Sequence, residues 1–321
     1  MLSPSVTSRS GAGDGEKTMT EAATQSASLD GLRRDTIRHK GAIVGFLAPF
    51  MILFAATYLV PVGYAVYQSF QKVVRVDLYG PSTSRFGGLE QYQRVLESSE
   101  FWQSILRVLE LAAVQMPIML GLALLFALLL DSPVVKGKTF FRLAYFVPFA
   151  VPGVVAAIMW AFMYAPSLSP LPVLARNIDF LGSSTVLWSI GNVLTWTYTG
   201  VNMLIMYSAL KAIPPDLYDA AKLDGAGQIR IAWSVKIPLI MPALIMTMVF
   251  SVIGLMQLFN EPMVLRSVSR GVSSTFAPNM LVYATSNVPN YNLAAAFSVV
   301  LALATGALSF GFLKVVQRRA F

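Results

Sequence analysis

From Leu111 to Leu130 the chain runs twenty residues without an acid, a base or a histidine. An α-helix of that length rises about 30 Å, the thickness of a bilayer's hydrocarbon core. Lipid offers the backbone no hydrogen bonds, so a segment of this kind must satisfy its own N–H and C=O groups, as a helix does. Six such runs are read as spans: about Ala42 to Phe70, Ser104 to Leu130, Leu143 to Ala165, Thr185 to Leu210, Ile237 to Leu258 and Leu293 to Leu313. The expected fold class is therefore all-α, a polytopic membrane protein with six transmembrane helices. Composition agrees, since 55% of the 321 residues are hydrophobic and 12% charged. Soluble domains sit near roughly 45–50% and 25%.

Residues 1–40 are rich in Ser, Thr, Gly and Ala, carry mixed charge and hold few large apolar side chains. Such a segment cannot bury a core and is expected to be a disordered tail. No short apolar h-region stands near the start, so the tail is read as a cytoplasmic extension and not as a signal peptide. Residues 41–317 form the expected transmembrane domain. The net charge of +8 could indicate nucleic acid, but basic residues on the cytoplasmic side of spans produce the same balance. With both termini inside, the inner segments hold 16 Lys and Arg and the outer loops 7. The positive-inside rule thus puts the N- and C-termini and loop 211–236 in the cytoplasm, with no nucleic acid as partner.

Much chemistry is excluded by what the chain lacks. It has no cysteine, hence no disulfide, thiolate metal site or Cys nucleophile. Its one histidine, His39, lies in the basic run Arg33 to Lys40, which leaves nothing for a His-based metal site or a Ser-His-Asp triad. Gly137-Lys138-Thr139 imitates the end of a phosphate-binding loop. The glycine required five positions earlier is Ser132, however, and no strand precedes it. Arg107 and Glu110, three apart near the start of the second span, are expected to pair on one helix face. Pro148 and Pro152 should disturb the third span, and Pro49, Pro61 and Gly63 are tolerable within the first. The fourth span has a polar middle: Asn192, Thr195, Trp196, Thr197, Tyr198, Thr199 and Asn202.

The longest inner loop, about 211–236, has an order of its own. Pro214 and Pro215 suit a helix start, Asp216 can cap the following amides, and Asp219 adds a carboxylate to the first turn. Ala220 and Ala221 keep one surface thin. Gly225-Ala226-Gly227 breaks the helix, and Gln228 to Val235 begins another before Pro238 opens the next span. A plain connector would take a handful of residues.

Asp219-Ala220-Ala221, three residues, Gly225, nine residues and Val235-Lys236-Ile237-Pro238 resemble the EAA loop of bacterial ABC-importer permeases at every spacing. Asp replaces the usual Glu at 219. The run Ala221-Lys222-Leu223-Asp224-Gly225-Ala226-Gly227, together with Pro148 to Pro152, the Trp196 region and Gln257 to Pro262, is similar to the carbohydrate branch, the MalF/UgpA-type permeases. The resemblance covers about residues 42–317. It implies the type I importer permease fold, in which Asp219, Ala220, Ala221, Asp224, Gly225, Gly227 and Pro238 belong to a coupling helix and its flanks. That helix docks on a separate ATPase dimer, which holds ATP and Mg, so this chain is neither an enzyme nor a cofactor protein. Further implied partners are a second, MalG-like permease subunit, an extracytoplasmic solute-binding protein, a sugar (mono-, oligosaccharide or glycerol-phosphate-like) and the inner-membrane lipid.

A sugar needs hydrogen bonds for its hydroxyls and an aromatic surface for its C–H face, and polar groups inside a span mark a pathway. From the residues, Trp196, Thr197, Tyr198, Asn202, Ser251 and Gln257 qualify, with Asn260 and Glu261 at the outer mouth. The resemblance adds Phe149 and Gly153 of the third span, Val201 of the fourth, and Gly254 and Leu255 of the fifth. Polar residues that glue helices together are the competing reading of each. Other readings of the whole chain are a permease for a non-sugar solute, an ion-coupled secondary transporter and a membrane-embedded enzyme.

Overall fold

The computed structural model describes residues 43–75, 82–170, 172–287 and 290–320; the tail expected over 1–40 lies outside them. Contacts divide the chain at Tyr64/Ala65 into two units, and helix α1, Ile43–Ser69, runs across that point. Its turn at Ala55–Leu59 is wound as a π-helix, with the Val60 N–H on the Ala55 carbonyl. Pro61 follows two residues later and would otherwise press its ring on the carbonyl four residues back; the wider turn relieves that clash.

After α1 the chain forms an antiparallel hairpin, β1 (Gln71–Arg75) with β2 (Ser82–Phe86), which the helical pattern did not announce. Its β-branched pair Val73 and Val74 suits a strand. Helix α2, Glu90–Glu97, follows the hairpin, and Glu90 binds Lys72 at 2.8 Å and Arg94 at 2.7 Å. Buried Gln91 donates to the Gln71 carbonyl at 3.3 Å and ties α2 to β1.

Helix α3, Ser99–Asp131, is the spine of the second unit. Ser98 caps it, accepting from the Phe101 N–H. Arg107 does not bind Glu110. It donates to the Phe276 carbonyl at 2.7 Å and lies over the Phe276 ring, a cation–π contact that desolvation favours.

The third expected span is broken. Helix α4, Lys138–Ala150, and α5, Gly153–Tyr164, meet at 96°. Val151 is extended, as a residue before proline must tend to be, and Pro152 caps α5. Loop 166–184 holds α6, Pro172–Asn177.

Helix α7, Val186–Lys211, fills the place of the fourth span. Beyond it, α8 (Pro215–Leu223) and α9 (Gln228–Ile231) are the two short helices expected in the inner loop, and α9 continues through a π turn, Ala232–Lys236, into Ile237–Leu239. This π turn also stands just before a proline, Pro238. Helix α10, Met241–Met256, and α11, Asn260–Leu265, together make a 25-residue apolar stretch. The Pro-, Ser- and Asn-rich segment between the fifth and sixth spans contains α11 and α12, Pro278–Asn287, because Leu265, Met280 and Leu281 pack into the core. Helix α13, Tyr291–Ala320, closes the chain.

Four helices among the described residues are long and apolar enough to cross a membrane, or five with α4–α5 as one bent span, against the six expected. The difference falls on α7. Its 26 residues are long enough, but Asn192, Thr195, Thr197, Thr199 and Asn202 lower its hydropathy. The protein is an all-α polytopic membrane protein, with one small hairpin among the described residues.

Two cores run along α3. Phe101, Ile105, Val108 and Leu111 pack with Ile190, Leu194, Phe276 and Phe297. Farther on, Met119, Leu120, Ala123, Ala127 and Leu130 pack with Met203, Met206, Leu210 and Ile240. Ala123 and Ala127, fully buried and one turn apart, let the neighbouring backbone approach. Helix α4 comes closer still. A Cβ on Gly200 would overlap the Tyr145 carbonyl, whereas one on Gly121 would meet nothing within 4 Å. Gly200→Ala is therefore expected to cost about 1–3 kcal/mol through overpacking, read as earlier thermal unfolding of the solubilised protein, and Gly121→Ala to leave unfolding unchanged.

Candidate functional site: an intramembrane cavity and an exposed loop

The polar middle of α7 is held by local bonds. Thr195 donates to the Gly191 carbonyl at 2.8 Å, Thr199 to Thr195, and Asn202 to the Tyr198 carbonyl at 2.9 Å. Hydroxyls bonded back to the preceding turn sit in an apolar helix at little cost. On the opposite helix Ser251 does the same, donating to the Thr247 carbonyl at 2.8 Å.

Between α3, α7, α10 and α11 lies a cavity of about 310 Å³. Five of the nine expected solute contacts line it: Tyr198, Asn202, Ser251, Gln257 and Asn260. Phe149 and Gly153 abut this wall without lining it. The Phe149 ring meets Tyr198 edge-on at 6.0 Å. A Cβ on Gly153 would stand 3.2 Å from Glu261 Oε1 and 3.8 Å from Asn260 Nδ2, so any side chain there requires the Glu261 carboxylate to shift. Val201, Gly254 and Leu255 line the cavity as well.

Trp196 and Thr197 are placed elsewhere. Consecutive helical residues point about 100° apart, so Tyr198 and Trp196 cannot share a face. Trp196 packs edge-on against Trp160 at 5.9 Å and lines a separate cavity with Tyr145 and Thr199. Thr197 is buried, and its hydroxyl has no hydrogen-bond partner among the described residues.

Two polar lining residues were not among the expected contacts. Glu261 was put only at the mouth, yet it is 94% buried (6% exposed), in the first turn of α11, where the helix dipole favours a carboxylate. Among the described residues no other side chain pairs with it. Gln115 of α3 donates to Thr195 Oγ1 at 3.3 Å, while its Oε1 is buried with no partner among the described residues. Its signal was an amide alone within the uncharged run 111–130. Among the lining residues there is one acid and no Lys or Arg, and the remaining polar groups are amides and hydroxyls. The site can exchange hydrogen bonds with a polar solute of neutral or positive charge.

At the other candidate site, α8 starts with Pro214 as cap residue and Pro215 inside its first turn. Asp216 does not cap; it lies in the first turn, where its charge still complements the dipole. Asp219 falls beyond that turn and pairs with Lys222 at 2.7 Å, both exposed. Ala220, Asp224 and Pro238 are exposed, and Ala221 half-buried. The helix ends in a Schellman motif: the Ala226 N–H binds the Ala221 carbonyl at 3.0 Å, and the Gly225 N–H binds Lys222 at 2.9 Å. Gly225 holds φ +76° there, while Gly227 has an ordinary φ of −74° and caps α9. Around this turn the loop exposes Leu217, Leu223, Ile229 and Trp233, with Leu223 90% and Trp233 71% accessible. Large apolar side chains exposed on an otherwise polar loop suit a contact surface. The sequence pattern had drawn attention to the small and acidic residues between them.

Gly225→Ala must place a Cβ in the left-handed region, at about 1–2 kcal/mol. Gly227→Ala meets no neighbour within 4 Å. Proteolysis of the native protein within 211–236 is expected to quicken for the first variant and stay unchanged for the second.

The chain matches the family model described as "Binding-protein-dependent transport system inner membrane component" over residues 119–321. The sn-glycerol-3-phosphate transport system permease protein UgpA of Agrobacterium fabrum is 30% identical over 85% of this chain and 94% of its own. The arabinooligosaccharides transport system permease protein AraP of Halalkalibacterium halodurans is 30% identical over 68% and 69%. The trehalose/maltose transport system permease protein MalF of Thermococcus litoralis is 30% identical over 73% and 81%. In structure, the chain superposes with a TM-score of 0.74 on a bacterial ABC transporter involved in the import of the acidic polysaccharide alginate, covering 88% of this chain and 98% of that one at 16% identity. This likeness carries the fold, that of an ABC-importer permease. The chain belongs to the binding-protein-dependent transport system inner membrane components, permease subunits of ABC importers in which ATP is hydrolysed on a separate subunit.

Proposed function

We propose that this chain is a sugar permease of the bacterial inner membrane, which takes its solute from an extracytoplasmic binding protein and releases it into the cytoplasm. The observation that carries the reading is the 310 Å³ cavity between α3, α7, α10 and α11, in which Tyr198 offers an aromatic face and Asn202, Ser251, Gln257 and Asn260 offer neutral donors and acceptors. Relatives named for arabinooligosaccharides and for trehalose and maltose support it. The cavity forms one wall of the pathway, and a second, MalG-like permease subunit supplies the other. Six crossings follow when the bent pair α4–α5 and the polar α7 each count as one, which keeps both termini and the loop between α7 and α10 in the cytoplasm. There α8 is the coupling helix. Leu217, Leu223, Ile229 and Trp233 enter a cleft of the ATPase dimer, with Asp219 at its edge and Ala220 and Ala221 allowing close approach. ATP-driven closure of that dimer turns the permease pair from inward- to outward-facing.

The test is uptake of labelled sugars into proteoliposomes holding the complete complex with its binding protein. ATP-dependent uptake of at least one neutral oligosaccharide or monosaccharide is expected; uptake only of amino acids or peptides, or uptake driven by a proton gradient at constant ATP, would overturn the reading. Asp219→Lys is expected to reduce uptake to below about a tenth while the subunits still co-purify. Gln257→Leu removes one hydrogen-bonding side chain that lines the cavity, an effect of about 1–3 kcal/mol when a bound solute's polar group is left without its partner. It should lower sugar uptake about tenfold or more and leave the basal ATPase rate unaltered.

A further inference from the structure

The inner loop begins at Lys211, the last residue of α7, and its π turn ends at Lys236. Both lysines bind one carboxylate on a third helix. Lys211 Nζ lies 2.8 Å from Asp131 Oδ1, and Lys236 Nζ lies 2.6 Å from Asp131 Oδ2, so each cation has its own oxygen. The Asp131 side chain is 6% accessible and that of Lys236 9%, whereas Lys211 is half-exposed at 52%. Asp131 is the final residue of α3, where the helix dipole disfavours a negative charge. Two cations offset that cost, and neither is supplied by α3 itself.

The same cluster reaches α8. Lys236 Nζ stands over the Tyr218 ring, 5.2 Å from its centre, and the Tyr218 hydroxyl donates to the Leu210 carbonyl at 3.4 Å. Burial, and then the Asp131 charge, push the Tyr218 hydroxyl above its ordinary pKa, so it stays a neutral donor. Tyr218 immediately precedes Asp219-Ala220-Ala221. An open cleft of about 380 Å³, lined by Asp131, Lys211, Tyr218, Gln228 and Lys236, lies between α8 and the rest of the chain, so little packing other than this cluster supports α8 from behind.

We propose that Asp131 is a positioning residue for coupling: by holding Lys211 and Lys236 together it closes loop 211–236 into a rigid ring and passes the displacement of α8 to α3, α7 and α10. The proposal rests on the coupling role given to α8 above. The π turn serves it by bringing Lys236, two residues before Pro238, round to face α3. Without the carboxylate the two lysines repel each other, and α8 moves on its cleft instead of moving the helices.

The experiment compares wild type, Asp131→Asn, Lys236→Met and Lys236→Arg in the assembled complex with its binding protein. Asparagine keeps the volume of Asp131 and one acceptor, and arginine keeps the charge of Lys236. Hydrogen–deuterium exchange over 211–236 reads the clamp, and sugar imported per ATP hydrolysed reads coupling. Asp131→Asn and Lys236→Met are expected to raise exchange in the loop about tenfold, with the helices of α3 and α7 as protected as before, and to lower import per ATP at least fivefold. Lys236→Arg should restore most of both. Unchanged loop exchange in Asp131→Asn, or unchanged import per ATP in a complex that assembles, would overturn the proposal. So would a loss explained wholly by less assembled complex, in which import per ATP stays constant. A wild-type complex that imports nothing on ATP would count against the permease reading instead, and the exchange result would then judge the clamp by itself.

Discussion

The packing of α3 along α7 carries the second unit of the chain. Both cores are built on it, the outer around Leu111, Ile190 and Leu194 and the other around Ala123, Ala127, Met203 and Met206. Between lipid-compatible helices there is little hydrophobic gain from association, so shape and interhelical hydrogen bonds must hold them. Gly191 accepts the Leu111 side chain where a Cβ would come within 2.9 Å of it, and Gln115 reaches Thr195. Once this pair is set, α4 crosses at Gly200 and α10 closes the other side, which leaves the cavity between them.

That arrangement explains how α7 can be polar in its middle without an aqueous neighbour for each group. Thr195, Thr199 and Asn202 spend their donors on the preceding turn, and buried Ser189 donates to the Phe180 carbonyl at 2.7 Å. Lining the cavity are the Tyr198 ring and hydroxyl and the amides of Gln257 and Asn260, together with Glu261. A buried carboxylate without a cationic neighbour is costly, and its position in the first turn of α11 offsets part of that cost. The cavity and loop 211–236 are linked by the same helices, since α3 runs from Gln115 at the cavity to Asp131 at the cluster of lysines, and α7 from Tyr198 to Lys211.

Much of this was legible in the residues. The apolar runs marked α1, α3, α10 and α13 to within a few positions, because about twenty uncharged residues leave the backbone no alternative to a helix in lipid. Gly225 was legible as a helix stop, since only glycine takes φ +76° without strain. The bend at Val151-Pro152 was foreseen as a disturbance and not as a right-angled break. How far a proline bends a chain depends on what packs against each half. The Arg107–Glu110 pair failed for a similar reason. Spacing brings two side chains to one face, but Phe276, distant in sequence, offered Arg107 both a carbonyl and a ring. Trp196 and Thr197 shared composition with Tyr198 and differed in direction, and no pattern of polar residues says which face of α7 meets α10.

The sequence by itself determined that the chain lives in a bilayer, that it carries no metal-binding or nucleophilic cysteine chemistry, and that one inner loop is a helix–turn–helix of defined spacing. These follow from local rules: apolar length, residue inventory and the glycine that a Schellman turn requires. Only the tertiary structure decided that Glu261 and Gln115 line the cavity between α3, α7, α10 and α11, that Trp196 does not, and that Lys211 and Lys236 share the carboxylate of Asp131. Each of these joins residues far apart in the chain, and burial and charge pairing at such distances depend on how whole helices pack, which no local spacing records.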